Sequence, residues 1–160
     1  MANTKRSKVM TVSEIVEKRG NSRENLIQIL HDIQDVSGDN SLHRDKIEEL
    51  SKLMDLNVAD IVGTASFYTM FSLVPRGKHI IRLCDSPPCY IMGSDNILEA
   101  LEKKLGIKMG ATTEDGMFTL EPTSCLGVCG VAPALMIEEE VYGNLTNEKI
   151  NGIIDGIRAG

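Results

Sequence analysis

Apolar residues in the first half of the chain recur at three- and four-residue steps, the period of helices with one buried face. In "SRENLIQILHDIQDVSG" these are Leu26, Ile29, Leu30, Ile33 and Val36, with Ser22 placed to cap the first turn and Gly38 to stop the last. "SLHRDKIEELSKLMD" repeats the pattern with Ile47, Leu50, Leu53 and Met54, and Ser41 stands where its hydroxyl can cap the free amides. "NVADIVGTASFYTMF" offers Asn57 as a cap and Ile61, Val62, Ala65 and Tyr68 or Phe67 as a buried stripe. With a shorter amphipathic segment from Val12 to Lys18, these predict a helical bundle in which Phe67, Tyr68 and Phe71 serve as packing.

After "LVPRGK" the pattern changes. "KHIIRLC" is apolar and β-branched, as a buried strand requires, and Gly93 to Leu105 carries a helical stripe of Ile97, Leu98, Leu101 and Leu105. "MFTLEPTSC" reads as a second strand, and "ALMIEE" with "VYGNL" as a hairpin. The last helix is "TNEKINGIIDGI", capped by Thr146, with Ile150, Ile153, Ile154 and Ile157 inward. The chain is therefore α/β, an N-terminal helical domain over residues 1–74 followed by a small mixed sheet with helices on its faces over 75–160. That second layout is the one found in thioredoxin-like domains.

Composition narrows the function. With 160 residues and 42% apolar positions the chain can bury a real core in one domain or two small ones. Seventeen basic and twenty-three acidic residues give a net charge of −6, spread along the chain, so the clustered Lys and Arg that nucleic-acid binding needs are missing. The start, "MANTKRSKVMTVSEIVEKRG", is positively charged but lacks the apolar block of a secretory signal, and no apolar run of about 18 residues could span a membrane. A cytoplasmic protein without membrane insertion is expected. There is no G-x-G-x-x-G after a strand, no P-loop and no evident nucleophile with an acid–base pair, so no nucleotide or substrate site is expected on this chain.

The chemistry then rests on four cysteines, Cys84 and Cys89 in "LCDSPPC" and Cys125 and Cys129 in "SCLGVCG". Each pair follows a predicted strand, so adjacent strands in one sheet can bring both loops to one edge. Pro87 and Pro88, which restrict the residues before them, are expected to keep the first loop an open arch. Gly127 and Gly130 allow close backbone approach, with amides aimed at sulfur, which implies an anionic centre. Structural disulfides suit oxidising compartments, and a thioredoxin-type dithiol needs C-x-x-C. Structural zinc favours two-residue gaps, while the longer C-x4-C and C-x3-C gaps suit a [2Fe-2S] rhomb whose irons take two thiolates each. His31, His43 and His79 are isolated, and Glu138, Glu139 and Glu140 fall on a predicted turn, so these residues are read as ordinary surface or core positions.

Taken together, "ASFYTMFSLVPRGKHIIRLCDSPPC", "SCLGVCGVAPALMI" and "VYGNLT" resemble the small thioredoxin-like [2Fe-2S] subunit of NADH:quinone oxidoreductase, respiratory complex I. They are similar as well to the equivalent subunit of soluble NAD(P)-linked and electron-bifurcating hydrogenases. The resemblance implies one [2Fe-2S] cluster with Cys84, Cys89, Cys125 and Cys129 as ligands, and an electron carrier acting as a subunit of an NAD(P)H-dependent oxidoreductase. It implies that the helical region docks on a flavoprotein subunit that holds FMN and binds NAD(P), with a further iron–sulfur subunit, of a hydrogenase or similar enzyme, in the complex. A hydrogenase-type host is expected ahead of a complex I type. A stand-alone thioredoxin-like ferredoxin or a zinc-binding adaptor is the alternative. Pro133 matches the cis-proline of thioredoxin-like folds in the same resemblance.

Overall fold

The structure, a computed structural model, describes residues 10–159, so the positively charged start of the chain lies outside the described residues. Two compact units divide between Arg76 and Gly77.

Among the described residues the first unit has four α-helices, α1 (Val12–Arg19), α2 (Leu26–Val36), α3 (Arg44–Met54) and α4 (Val58–Phe67). Thr11 and Glu14 form a reciprocal capping box at the start of α1, satisfying amides that the helix itself leaves free. Ile15, Ile29, Leu30, Leu50 and Ile61 are fully buried in one core. Leu53 leaves its expected stripe at 37% exposed, and of the alternatives Tyr68 and Phe67 it is Tyr68 that packs against the core, with Phe67 78% exposed. Leu53 and Phe67 each stand six residues after the first member of the stripe, Ile47 or Ile61, which at 3.6 residues per turn is about 240° around the helix.

Caps also differ from what the sequence suggests. Ser22 precedes a 3-10 turn, Arg23–Asn25, and makes no side-chain cap there; Asn57 occupies the N-cap of α4 without capping it. Ser41 is buried and donates its hydroxyl to Asp39 at 2.8 Å, while His43 takes the N-cap position of α3. The stretch after α4 is fastened by two buried polar side chains. Gln34 donates to the Met70 carbonyl at 3.0 Å and accepts from the Ser72 amide at 2.9 Å; Arg76 donates to the carbonyls of Asn40 and Met70.

The second unit contains β1 (His79–Cys84), α5 (Pro87–Ile91), α6 (Ser94–Leu105), β2 (Phe118–Thr123), β3 (Leu135–Ile137), β4 (Glu140–Tyr142) and α7 (Asn147–Ala159). The sheet order is β2-β1-β3-β4, with β1 and β2 parallel and the remaining pairs antiparallel. Ile81 and Leu83 of β1 join Phe118, Leu120, Leu135 and Ile137 in a core completed by α6 and α7. These two helices pack on each other within that core, so one layer of helices accompanies the sheet. Thr146 accepts from the Lys149 amide at 3.2 Å, the expected cap of α7. Residues 110–113 cover the outer edge of β2 through amide–carbonyl bonds such as Thr113 to Phe118 at 2.8 Å, so this edge is not left open. Among the described residues no helix is long and apolar enough to cross a membrane.

Candidate metal centre

The parallel pairing of β1 and β2 decides where the cysteines go. Cys84 is the last residue of β1 and lies opposite Thr123, the last of β2, so both loops leave from the same edge of the sheet. The Asp85 amide donates to the Thr123 carbonyl at 3.1 Å and continues the pairing one residue beyond the strands. Cys125 follows two residues after Thr123, and Cys129 opens a 3-10 turn, Cys129–Val131. The chain then passes through a cis Ala132–Pro133 peptide into β3, an isomer that the sequence by itself leaves open. The Cys84 amide donates to the Ala134 carbonyl at 3.1 Å, which ties the start of β3 to the end of β1. Amides of Asn144 and Leu145 donate to the Val131 and Pro133 carbonyls and fix the Cys129 turn against the β4–α7 connection.

The first loop is not the open arch expected from its prolines. It winds directly into α5, with Ser86 extended at the N-cap (φ −66°, ψ 152°) and Pro87 and Pro88 in the first turn. Proline costs nothing there, because its missing N–H belongs to a turn whose amides have no intrahelical partner and its fixed φ is already helical. The restriction from Pro87 falls on Ser86, which obeys it, while that from Pro88 falls on Pro87, which is helical all the same. One turn of helix therefore carries Cys89 back towards Cys84, and the two side chains interact.

None of the four cysteines is joined in a disulfide. Cys84 and Cys89 are 2% and 3% exposed and share a small cluster with Ala132 and the partly buried Leu126; Cys125 and Cys129 face solvent. The Cys125 and Cys129 sulfurs are 4.0 Å apart. Backbone amides approach the sulfurs from several directions. Gly127, in the left-handed region at φ 77°, donates to Cys125 at 3.4 Å. Burial pushes the Cys84 thiol up, but the amides of Ser86 and Leu126, with the side chains of Cys89 and Ser86, outweigh it and hold the thiol below its ordinary value. Burial raises Cys89, its neighbour Cys84 adds to the rise, and the Ala134 amide opposes it. Cys125 raises Cys129 through a hydrogen bond and through its charge.

From sequence, amide donors are expected in the loops without their positions being specified. That of Ser86 reaches Cys84 from two residues away, while that of Ala134 reaches Cys89 across the chain, where α5 meets the start of β3. Also unforeseen are Tyr90, Ile91 and Met92, which continue from Cys89 and are 60%, 79% and 60% exposed.

The donor set suits a [2Fe-2S] cluster better than a single ion. Two thiolates on one tetrahedral metal at about 2.3 Å lie about 3.8 Å apart, close to the spacing of Cys125 and Cys129. A zinc site would need all four sulfurs at that spacing, and among the described residues no group of three or more His, Cys, Asp or Glu is arranged to hold one ion. Amide donors around sulfur are the usual compensation for the negative charge of such clusters. The other polar candidates are engaged elsewhere. His31 lies 2.9 Å from the Met70 sulfur and against the Phe71 ring, His43 pairs with Asp39 and His79 with Glu138. Glu138 and Glu139 form the exposed β3–β4 turn, and Glu140 begins β4.

A family model described as thioredoxin-like [2Fe-2S] ferredoxin matches residues 12–158. The chain is 44% identical over 109 residues to the E subunit of NADH-quinone oxidoreductase of Escherichia coli (strain K12), covering 68% of this chain and 66% of that one. It is 33% identical over 143 residues to the NADP-reducing hydrogenase subunit HndA of Solidesulfovibrio fructosivorans, covering 89% of this chain and 82% of that one. Among solved structures, an NAD+-reducing [NiFe]-hydrogenase in the air-oxidised state superposes with a TM-score of 0.75 at 26% identity, over 89% of this chain and 24% of the other. The match thus spans just under two thirds of the length of the E. coli protein and about a quarter of the hydrogenase chain. The chain belongs to the thioredoxin-like [2Fe-2S] ferredoxin family, and its cofactor is one [2Fe-2S] cluster.

Proposed function

We propose that this member of the thioredoxin-like [2Fe-2S] ferredoxin family holds its cluster on Cys84, Cys89, Cys125 and Cys129 and serves as an electron-transfer subunit of an NAD(P)H-linked oxidoreductase complex. The observation that carries the reading is the meeting of two sulfur pairs at the one edge where β1 and β2 end together, with amides aimed at the sulfurs. A [2Fe-2S] centre supplies one-electron transfer. This chain supplies the rest of the environment: four thiolates, amide donors from Ser86, Leu126, Gly127 and Ala134, and burial on the Cys84 and Cys89 side. Arg82, the cation nearest the ligands in sequence, pairs across the strands with Glu121 at 3.6 Å, so its charge is already opposed. Little positive charge is left to favour an added electron, and a low midpoint potential follows.

FMN and NAD(P) belong to a partner subunit in this reading, because a flavin accepts electrons in pairs and a one-electron centre beside it can separate them. Residues 1–74 serve as the docking domain for that flavoprotein and residues 75–160 as the cluster domain, with a further iron–sulfur subunit completing a cytoplasmic complex. A soluble, electron-bifurcating hydrogenase or related enzyme is the host we favour. The alignment with the HndA hydrogenase subunit over 82% of its length and the likeness to an NAD+-reducing hydrogenase support it. A complex I type host is the second reading, supported by the 44% identity to the E. coli protein.

Anaerobic purification followed by a visible spectrum and metal analysis tests the site. Iron and acid-labile sulfide at about two each per chain are expected. A colourless protein with stoichiometric zinc overturns the assignment. Co-purification of a flavoprotein with hydrogenase subunits, or with quinone-reducing ones, separates the two hosts, and a clearly positive midpoint in a redox titration refutes the low potential.

A further inference from the structure

The four thiols are unequal. Cys84 and Cys89 are buried beneath Ala132 and Leu126, whereas Cys125 and Cys129 are exposed with sulfurs 4.0 Å apart. A disulfide needs an S–S separation of about 2.05 Å, so the exposed pair must close by about 2 Å. Little resists that movement. Neither exposed side chain has a core to leave, and Gly127, midway between them at φ 77°, has no neighbour within 4 Å of where a Cβ would stand. The buried pair has no such access, because an incoming disulfide must reach the attacking sulfur in line.

We propose that Cys125 and Cys129 are a reversible disulfide site of the cluster-free chain, oxidised by small-molecule disulfides, and that the bridge blocks cluster loading. One thiolate of the pair attacks a sulfur of the oxidant, forming a mixed disulfide and expelling one small thiol. The second thiolate attacks the protein sulfur of that mixed disulfide, closes the bridge and expels the other small thiol. Two protein thiols are oxidised, the oxidant's one disulfide is reduced to two thiols, and both thiol protons end on the released molecules. The block on loading rests on the four-cysteine ligation proposed above, since a closed bridge removes two of the four thiolates; the bridge itself does not depend on it.

The test uses the full chain after anaerobic removal of metal, treated with glutathione disulfide, alkylated under denaturing conditions and cleaved with trypsin. Cleavage after Lys and Arg places Cys125 and Cys129 together in peptide 109–149 and Cys84 and Cys89 together in peptide 83–103. The expected result is loss of two hydrogens from peptide 109–149, which then takes up no alkylating agent, while peptide 83–103 is alkylated at both cysteines. Dithiothreitol reverses the change. A bridge inside peptide 83–103, a crosslink between the two peptides, or glutathione adducts that never resolve would each overturn the proposal. The Cys125→Ser variant, which has lost the partner thiol, is expected to stop at one glutathione on Cys129; an unmodified Cys129 counts against the site. Iron and sulfide are then offered to the reduced and the oxidised chain. At least a tenfold lower uptake by the oxidised chain is expected, and equal uptake refutes the block. Failure of the reduced chain to take up a cluster refutes the ligand assignment instead, whatever the peptide map shows.

Discussion

Gly143 should be a position where one methyl group reaches the cysteine loop from outside it. A Cβ built there would stand 2.6 Å from the Val131 Cβ and 2.7 Å from the Val131 carbonyl oxygen, against ordinary contacts of about 3.5–4.0 Å. The neighbour must retreat by roughly 1 Å, and that neighbour is the last residue of the turn that begins at Cys129. The turn cannot yield freely, since the Val131 carbonyl accepts from Asn144 and the Val131 amide donates to the Val128 carbonyl. Forced overpacking of this kind costs about 1–3 kcal/mol, which for a chain of this size lowers the melting temperature by roughly 3–10 °C. Gly143→Ala should therefore melt earlier by circular dichroism, and its visible absorbance should decay faster under a chelator because Cys129 is displaced. Gly152→Ala is the control. Gly152 lies inside α7 with open space around it, so alanine there should stabilise by about 0.5–1 kcal/mol and leave the absorbance decay unchanged. Wild-type melting and decay for Gly143→Ala, or shifts of the same sign for both variants, would refute the packing argument.

Cys125→Ser should abolish the visible spectrum or make it labile to air, and an unchanged spectrum would exclude Cys125 as a ligand. Gln34→Ala should destabilise the helical unit by about 1–3 kcal/mol in urea unfolding, because the Met70 carbonyl and the Ser72 amide lose a buried partner. Phe67→Ser, at a residue 78% exposed, should stay within about 0.5 kcal/mol of wild type in the same assay. Asp32 accepts two hydrogen bonds from Arg19, at 2.6 and 2.7 Å, and these hold its carboxyl below the ordinary value despite partial burial. A carboxylate lowered by folding stabilises above its unfolded pKa, and that contribution is lost as pH falls through the folded value. Asp32→Asn should thus melt earlier than wild type at neutral pH, with the gap narrowing below about pH 4; a constant gap would contradict the assignment.

Much of the architecture is legible in the chain because periodicity reports burial directly. The stripes Leu26–Ile29–Leu30–Ile33 and Ile150–Ile154 are buried as expected, and the strand "KHIIRLC" is β1 with Lys78 left outside it. Periodicity misleads where a stripe is drawn too wide, at Leu53, and a hydroxyl near a helix start is not always a cap. Ser41 illustrates the second case. Its hydroxyl donates to Asp39, and the helix starts so that His43 takes the N-cap, two residues beyond Ser41. The prolines of "DSPPC" are restrictive, as expected, but an extended Ser86 suits both an arch and a helix start, and proline fits a first helical turn, so α5 begins there.

For the site, the four cysteines and their spacing are available from the chain alone, because residue type and motif spacing are local properties. Tertiary structure decided the rest. The parallel register of β1 and β2 brings Cys84 beside the start of the second loop, across 39 residues of chain between Cys84 and Thr123 in sequence number. It also sets which pair is buried and which is exposed, and which amides face sulfur. These are relations between segments distant in sequence, and they come into being only when the strands pair and one core closes beneath them.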